Sequence, residues 1–257
     1  MLNLSGKETR NQNWTVGLRI LGDVIRKRGP VRLKMRFLTG ATMRLISVVA
    51  LASSLLAAGP AFAQGWTEYV SQNDFFTVSF PGEPKVQEIT YETEFSLKLP
   101  ARVYSVDNGP NRYSVTVVDY SDTATRHAER LKNCKADLGG GDSCGNPSRT
   151  ELRGAILHAT WNLINRGGKL TQLNYGVADL VEGHFLQITN ANESRTFAAI
   201  HMHEDRLYIL EGTVPKGAAA PGLFQQSLQF LDKEGKRIRY QSIYTNGFPP
   251  PPRTQYR

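Results

Sequence analysis

The sequence predicts an α+β fold, a mostly antiparallel β-sheet with two or three helices packed on it. Three observations predict it. From Phe75 onward, runs of β-branched and aromatic residues recur, and Gly, Pro, Asn or Asp closes most of them. Only the stretches 123–135, 150–165 and 222–230 carry helical spacing or composition. Strand and helix signals do not alternate regularly and nothing repeats, which sets aside a parallel βαβ layout and a solenoid.

The elements follow in order. Phe75–Phe80 (FFTVSF) is a compact strand stopped by PGEP. Val86–Phe95 and Arg102–Val106 are further strands, and Arg112–Tyr120 (RYSVTVVDY) is the next. Asn108-Gly109 between two β runs is a hairpin signal, with Pro110 expected to lengthen the loop. Thr123–Lys135 has helical composition, with Ala124, Ala128 and Leu131 as a short apolar stripe and His127 turned to solvent. Thr150–Asn165 is open between two readings. Leu152, Ile156, Ala159 and Leu163 fit one helical face, whereas Gly154 and the β-branched residues fit a strand pair. Within it, His158 is expected half-buried and Trp161 in the core. Leu170–Leu180, His184–Thr189, Arg195–His203 and Leu207–Val214 form a meander. Gly222–Phe230 reads as a helix opened by Pro221. GFPPPPR near the end has polyproline II composition and is expected to be an exposed, inert tail.

Before this pattern begins, the chain reads MRLISVVALASSLLAAGPAFAQ from Met43. One basic residue, an uncharged apolar run, a Gly59-Pro60 break and the small-residue site Ala61-Phe62-Ala63 make the three parts of a secretory signal, with cleavage between Ala63 and Gln64. The apolar run falls short of the ~20 residues that span a bilayer. The expected organisation is therefore a basic leader over 1–42, a signal peptide over 43–63, one α+β domain over 64–240 and a Pro-rich tail over 241–257. Residues 1–42 have no export logic of their own. Met43 or Met35 is the expected start; with Met1 as the start, the leader is a long n-region or a basic arm.

The signal redistributes the charge. The chain holds 31 Lys and Arg against 23 Asp and Glu, a net +8. Residues 1–63 hold 10 basic and 2 acidic residues, which leaves 21 of each in residues 64–257. A nucleic-acid-binding domain needs a basic footprint of its own, and an electroneutral one has none in bulk. Expected partners are an unknown protein or a small ligand, with no nucleic acid and with membrane contact only during export. The compartment is periplasmic or secreted.

Cys134 and Cys144 flank a glycine-rich loop (KNCKADLGGGDSCGN). In an oxidising compartment such a pair reads as a disulfide, worth about 3 kcal/mol in the chain-entropy model. Two cysteines with no histidine beside them fall short of a four-ligand zinc site. The chain has no G-x-S-x-G, no S-x-x-K, no H-E-x-x-H and no P-loop.

The histidines support one sharper expectation. His201 and His203 stand two apart in a strand and so share a face. A hairpin turning about Asn192-Glu193 sets His184 opposite His201 and Glu182 opposite His203, a set suited to a transition metal. A slip of one residue removes His184 from that face.

The segments FFTVSFPGEPKVQE, VYSVDNG…RYSVTVVDYSD and RLYILEGTVPKG…GLFQQSLQFLD resemble uncharacterised exported proteins of alphaproteobacterial, rhizobial type. More loosely, the F-x-V-x-F-P opening and the late SLxF segment look like the PsbP-type fold. That resemblance implies an α/β/α sandwich around an antiparallel sheet, with a binding or assembly role, and it carries over no cofactor and no site residue. The expected function is an exported, non-catalytic binding or assembly protein. The alternatives are a metal-binding protein or metal-dependent enzyme using His184, His201 and His203, and an envelope protein whose tail docks a partner.

Overall fold

The computed structural model describes residues 65–132 and 145–254. The leader, the signal segment with Ala63 and Gln64, and both Cys134 and Cys144 lie outside the described residues. No helix among the described residues is long and apolar enough to cross a membrane.

A small sheet joins β1 (Thr67–Ser71), β2 (Phe76–Phe80) and β10 (Gln229–Phe230), all antiparallel, with β2 in the middle. A seven-stranded antiparallel sheet holds the rest. It contains β3 (Lys85–Glu92), β4 (Lys98–Asn108), β5 (Asn111–Asp119), β6 (Lys169–Ala178), β7 (Val181–Thr189), β8 (Arg195–His203) and β9 (Arg206–Val214). Its order is β3-β4-β5-β9-β8-β7-β6. Two meanders are thus laid side by side and joined where β5 pairs with β9. The chain leaves the middle of the sheet after β5 and re-enters at the far edge. That crossing must pass over one face, and it carries α1 (Thr123–Leu131) and α2 (Ser148–Ile164) onto it.

Each face of the large sheet therefore has its own core. On the helix side, Leu99, Val118, Leu186, Ile200, Met202 and Leu207 pack with Ala155, Ile156, Ala159 and Leu163 of α2. On the other side, Tyr104, Val115, Tyr208 and Leu210 pack with Phe76, Val78 and Phe80 of β2 and with Phe224 of α3 (Gly222–Gln226). The predicted mostly antiparallel α+β class is the observed one, and the helices number three among the described residues.

Several local expectations change. The β4–β5 loop is two residues, Gly109-Pro110, because Asn108 pairs with Asn111. Gly109 takes φ +58°, so Pro110 does not lengthen the turn. Residues 150–165 resolve as helix: burial of one face outweighs the cost of Gly154 and the β-branched residues. In α1 the buried residues are Thr123 and His127, whereas Ala124 and Ala128 are exposed. The third helix stops at Gln226, and Ser227 ends it. The Ser227 hydroxyl accepts from the Ser79 N–H at 2.8 Å and draws the chain to the edge of β2, where Leu228 and Phe230 enter the core. β1 was without a signal in the sequence reading; it forms because Tyr69 packs against Phe76, Phe80 and Tyr104.

The C-terminal segment folds back on the domain. Tyr244 bridges to Val181 in parallel, and its N–H and C=O pair with Leu180 and Glu182. Tyr240 bridges to Arg253, and the Gln241 N–H donates to the Pro252 carbonyl at 3.0 Å. The proline run between these anchors is largely exposed, as its composition implies.

Candidate functional site

The three histidines do not converge. Thr189 pairs with Arg195, so the β7–β8 loop has an odd number of residues, 190–194. Asn190 closes it by donating its N–H to the Ser194 carbonyl at 2.8 Å and its amide to Ser194 Oγ and Thr196 Oγ1. Register follows from that loop. His201 faces Gly183, not His184, and His184 faces Ile200. The one-residue difference sends His184 to the helix side, where its Nδ1 meets the Thr160 hydroxyl at 2.8 Å. Among the described residues no group of three or more His, Cys, Asp or Glu side chains is placed to hold a metal ion.

His201 and His203 are core residues on the opposite face. The His201 Nδ1 stands 3.2 and 3.1 Å from the Val181 and Glu182 carbonyls, so that nitrogen carries the proton, while Nε2 is buried without a partner. Burial lowers the His201 pKa to about 4. His203 Nε2 stands 2.8 Å from the Tyr240 hydroxyl, between the rings of Phe230 and Tyr244. Burial, then the charges of Arg253 and Arg206, lowers the His203 pKa to about 3. Both imidazoles are neutral structural groups near pH 7. His184 is also lowered by burial, with Glu182 opposing.

His127 is buried rather than turned to solvent. Its Nε2 lies 2.5 Å from Glu151 Oε2, and Thr93 donates its hydroxyl to the other carboxylate oxygen. Glu151 is wholly buried. Three residues from α1, α2 and the β3–β4 turn thus share one carboxylate. The set has the residue types of a catalytic triad without its order: the hydroxyl donates to the acid, not to the imidazole. It reads as a clasp between elements. His158 is half-buried, its Nε2 3.3 Å from the Glu92 carbonyl. Trp161, expected in the core, is 63% exposed, because it lies on the side of α2 away from the sheet.

Two concavities open among the described residues. The first is a polar recess of about 610 Å³ lined by Ser71, Gln72, Asn73, Glu88, Arg102 and Tyr104 among others. Ser71, Arg102 and Tyr104 are engaged with one another and with Asp74. Arg102 and Tyr104 both donate to the buried Asp74 carboxylate, Ser71 Oγ stands 3.0 Å from the Tyr104 hydroxyl, and Tyr208 donates to the Asp74 carbonyl. Burial and the bond to Asp74 push the Tyr104 pKa up, which keeps it a neutral donor.

The second is a groove of about 710 Å³ between α3 and the β6–β7 end of the large sheet. It is built by cross-strand register. Gln172 of β6, Gln187 of β7 and Phe197 of β8 stand in one row across the sheet, and Asn174 and Phe185 in the next. The third row is Gly176 and Gly183. A Cβ on Gly176 would stand 2.8 Å from the Phe185 ring, and one on Gly183 would stand 2.4 Å from His201 Nδ1. These two glycines let both rings lie down against the sheet, which flattens the groove floor beside β6. Gln225 and Gln226 of α3 close the other side. The groove thus collects five carboxamides and the rings of Phe185 and Phe197, and no charged side chain lines it. Among the described residues, Gln225 alone of the five spends a side-chain hydrogen bond on the protein, donating to the Ala198 carbonyl at 3.2 Å. The sequence reading missed this site, because its amides come from three elements and only the register brings them together.

No family profile matches the chain, and no curated protein matches it. Among solved structures, the chain is similar to the cyanobacterial PsbP (CyanoP) from Synechocystis sp. PCC 6803 in solution. The TM-score is 0.37 at 11% identity, over 67% of this chain and 96% of that one.

Proposed function

We propose that this chain is an exported, non-catalytic binding protein of the periplasm, and that its ligand lies in the groove between α3, β6 and β7. The observation that carries the reading is the set of carboxamides at that groove. Among the described residues, four of the five line an open concavity without a side-chain hydrogen bond to the fold, and Gln225 makes one. Elsewhere the polar side chains that could do chemistry are tied up in closed sets: Asp74 with Arg102 and Tyr104, and Glu151 with His127 and Thr93. The export half of the reading rests on the Met43–Ala63 segment and on the electroneutral remainder of the chain.

The test is to purify the protein from its native envelope and add a small-molecule extract of the same envelope. Mass spectrometry of the purified chain is expected to give Gln64 as its first residue. Two-dimensional NMR is expected to show shifts confined to β6, β7 and α3. A chain recovered uncut from the cytosol overturns the compartment, and shifts centred on the recess around Arg102 and Tyr104 overturn the site.

A further inference from the structure

We infer that the groove between α3, β6 and β7 takes an uncharged carbohydrate; this rests on the groove being the binding site. Its lining has the two properties that a neutral sugar requires. A carboxamide presents donors and an acceptor at once, as a hydroxyl does, so Gln172, Asn174, Gln187 and Gln225 can each pair with hydroxyls in either sense. Between them lies the half-buried Phe185, whose ring offers apolar surface to the C–H face of a sugar ring; Phe197 is buried beneath the floor, with the Arg195 guanidinium over its ring. The amides alternate with the rings because they alternate along the register. Gln172 and Gln187 share a row with Phe197, and Asn174 shares the next with Phe185. Neighbouring strands stand about 4.8 Å apart, and successive same-face residues about 6.8 Å, so polar and apolar contacts recur at the scale of one sugar ring.

The same lining disfavours other ligand classes. Among the described residues no Lys, Arg, Asp or Glu side chain is in the lining, and the neighbouring Arg195, stacked over Phe197, donates to the Ala218 carbonyl instead of into the groove. Moving a phosphate, carboxylate or amine out of water without a partner costs far more than the amides return. A fatty chain fits no better, since it would strip water from five carboxamides without replacing their hydrogen bonds. Hydroxyls leave neither debt.

The experiment uses the protein purified from its native envelope and an array of neutral and acidic oligosaccharides. Binding to neutral members and not to acidic ones is expected. The best neutral oligosaccharide is then titrated calorimetrically into wild type, Gln172→Leu and Gln187→Leu. Each substitution keeps side-chain bulk and removes one hydrogen-bonding amide, so about a tenfold loss of affinity is expected from each. Gln172 is exposed on an edge strand, so its variant folds even if the other does not. Silence across the array, or preference for acidic members, overturns the inference. If an envelope-extract ligand still shifts the groove amides, the binding site survives that result. Unchanged affinity in both variants places the sugar elsewhere and overturns both readings.

Discussion

The two edges of the seven-stranded sheet are built on opposite principles. β3 closes one edge with charge. Lys85, Glu88 and Glu92 stand along it, and Glu88 lies 3.7 Å from Arg102 of β4. Its Ile89 and Tyr91 pack on the helix-side core, and His158 of α2 reaches across to the Glu92 carbonyl. Just beyond, Thr93, Glu151 and His127 lock the β3–β4 turn to both helices. β6, at the other edge, has no charged residue from Leu170 to Ala178. Leu173, Tyr175 and Val177 are exposed on the helix side of the sheet, and Gln172 and Asn174 line the groove on the other. An uncharged open edge invites pairing with other chains, and proteins ordinarily blunt it. Here one edge is blunted and the other is left as the wall of a groove in which, among the described residues, four of five carboxamides make no side-chain hydrogen bond to the fold. The difference separates the part of the molecule that holds the fold from the part that presents a surface.

The largest expected effect of a single residue comes from breaking the clasp at the closed end. His127→Ala leaves the Glu151 carboxylate buried with one hydroxyl donor in place of two partners. Leaving a buried polar group without one of its hydrogen-bond partners costs about 1–3 kcal/mol. Urea unfolding should show that loss as a lowered midpoint with an unchanged slope. Glu151→Gln keeps a hydrogen-bonding group beside both His127 and Thr93, and is expected to cost clearly less. Equal costs would mean that lost packing, not an orphaned hydrogen-bonding group, is the cause.

How much of this was legible in the sequence depends on the kind of signal. The large strands were legible because alternating β-branched and aromatic residues report a two-residue period; Arg195–His203 has the same ends in the sequence reading and in the structure. Ends set by tertiary contacts were not legible. Ser227 ends α3 because its hydroxyl finds Ser79, which lies 148 positions earlier in the chain. His127 looked solvent-facing within RHAER because its partner Glu151 belongs to another helix. The histidine cluster failed on a single residue of register, decided by the bonding of Asn190 and Ser194 inside a loop. The groove failed for the same reason in reverse: no local pattern marks Gln172, Gln187 and Gln225 as neighbours until the pairing is known.

Acid should also discriminate between the two ends, with a loss from each residue below the most that the clasp gives. His201 lies over Gly183 of β7, and His203 ends β8; both belong to the β6–β9 meander. Their folded-state pKa values are lowered, to about 4 and about 3, from an unfolded value of 6.5. A lowered pKa means that the unfolded chain binds the proton first. The stabilisation from a neutral imidazole is therefore complete above about pH 6.5 and is lost as pH falls toward the folded values. Between about pH 6.5 and pH 5 the expected loss is about 2 kcal/mol for each histidine. Hydrogen exchange at about pH 5 should show β7 and β8 opening before β3 and β4. Uniform opening of the whole sheet would remove the distinction between its ends. His203→Phe, which cannot titrate, should reduce the acid sensitivity at this end.

The smallest effect is the sharpest test of the open edge. Leu173 is 46% exposed and faces the helix side, opposite Leu186, so it takes no part in the groove. Leu173→Lys gives β6 the kind of charge that β3 already carries. A substitution at an exposed site with no special contact changes stability by about 0.5 kcal/mol or less. Groove binding should persist, since the lysine lies on the other face of the strand, and concentration-dependent association measured by light scattering should fall. A stability loss several times larger would show that Leu173 is covered in solution. β6 would then be an interior strand of a larger assembly, and the asymmetry between the two edges would belong to the isolated chain alone.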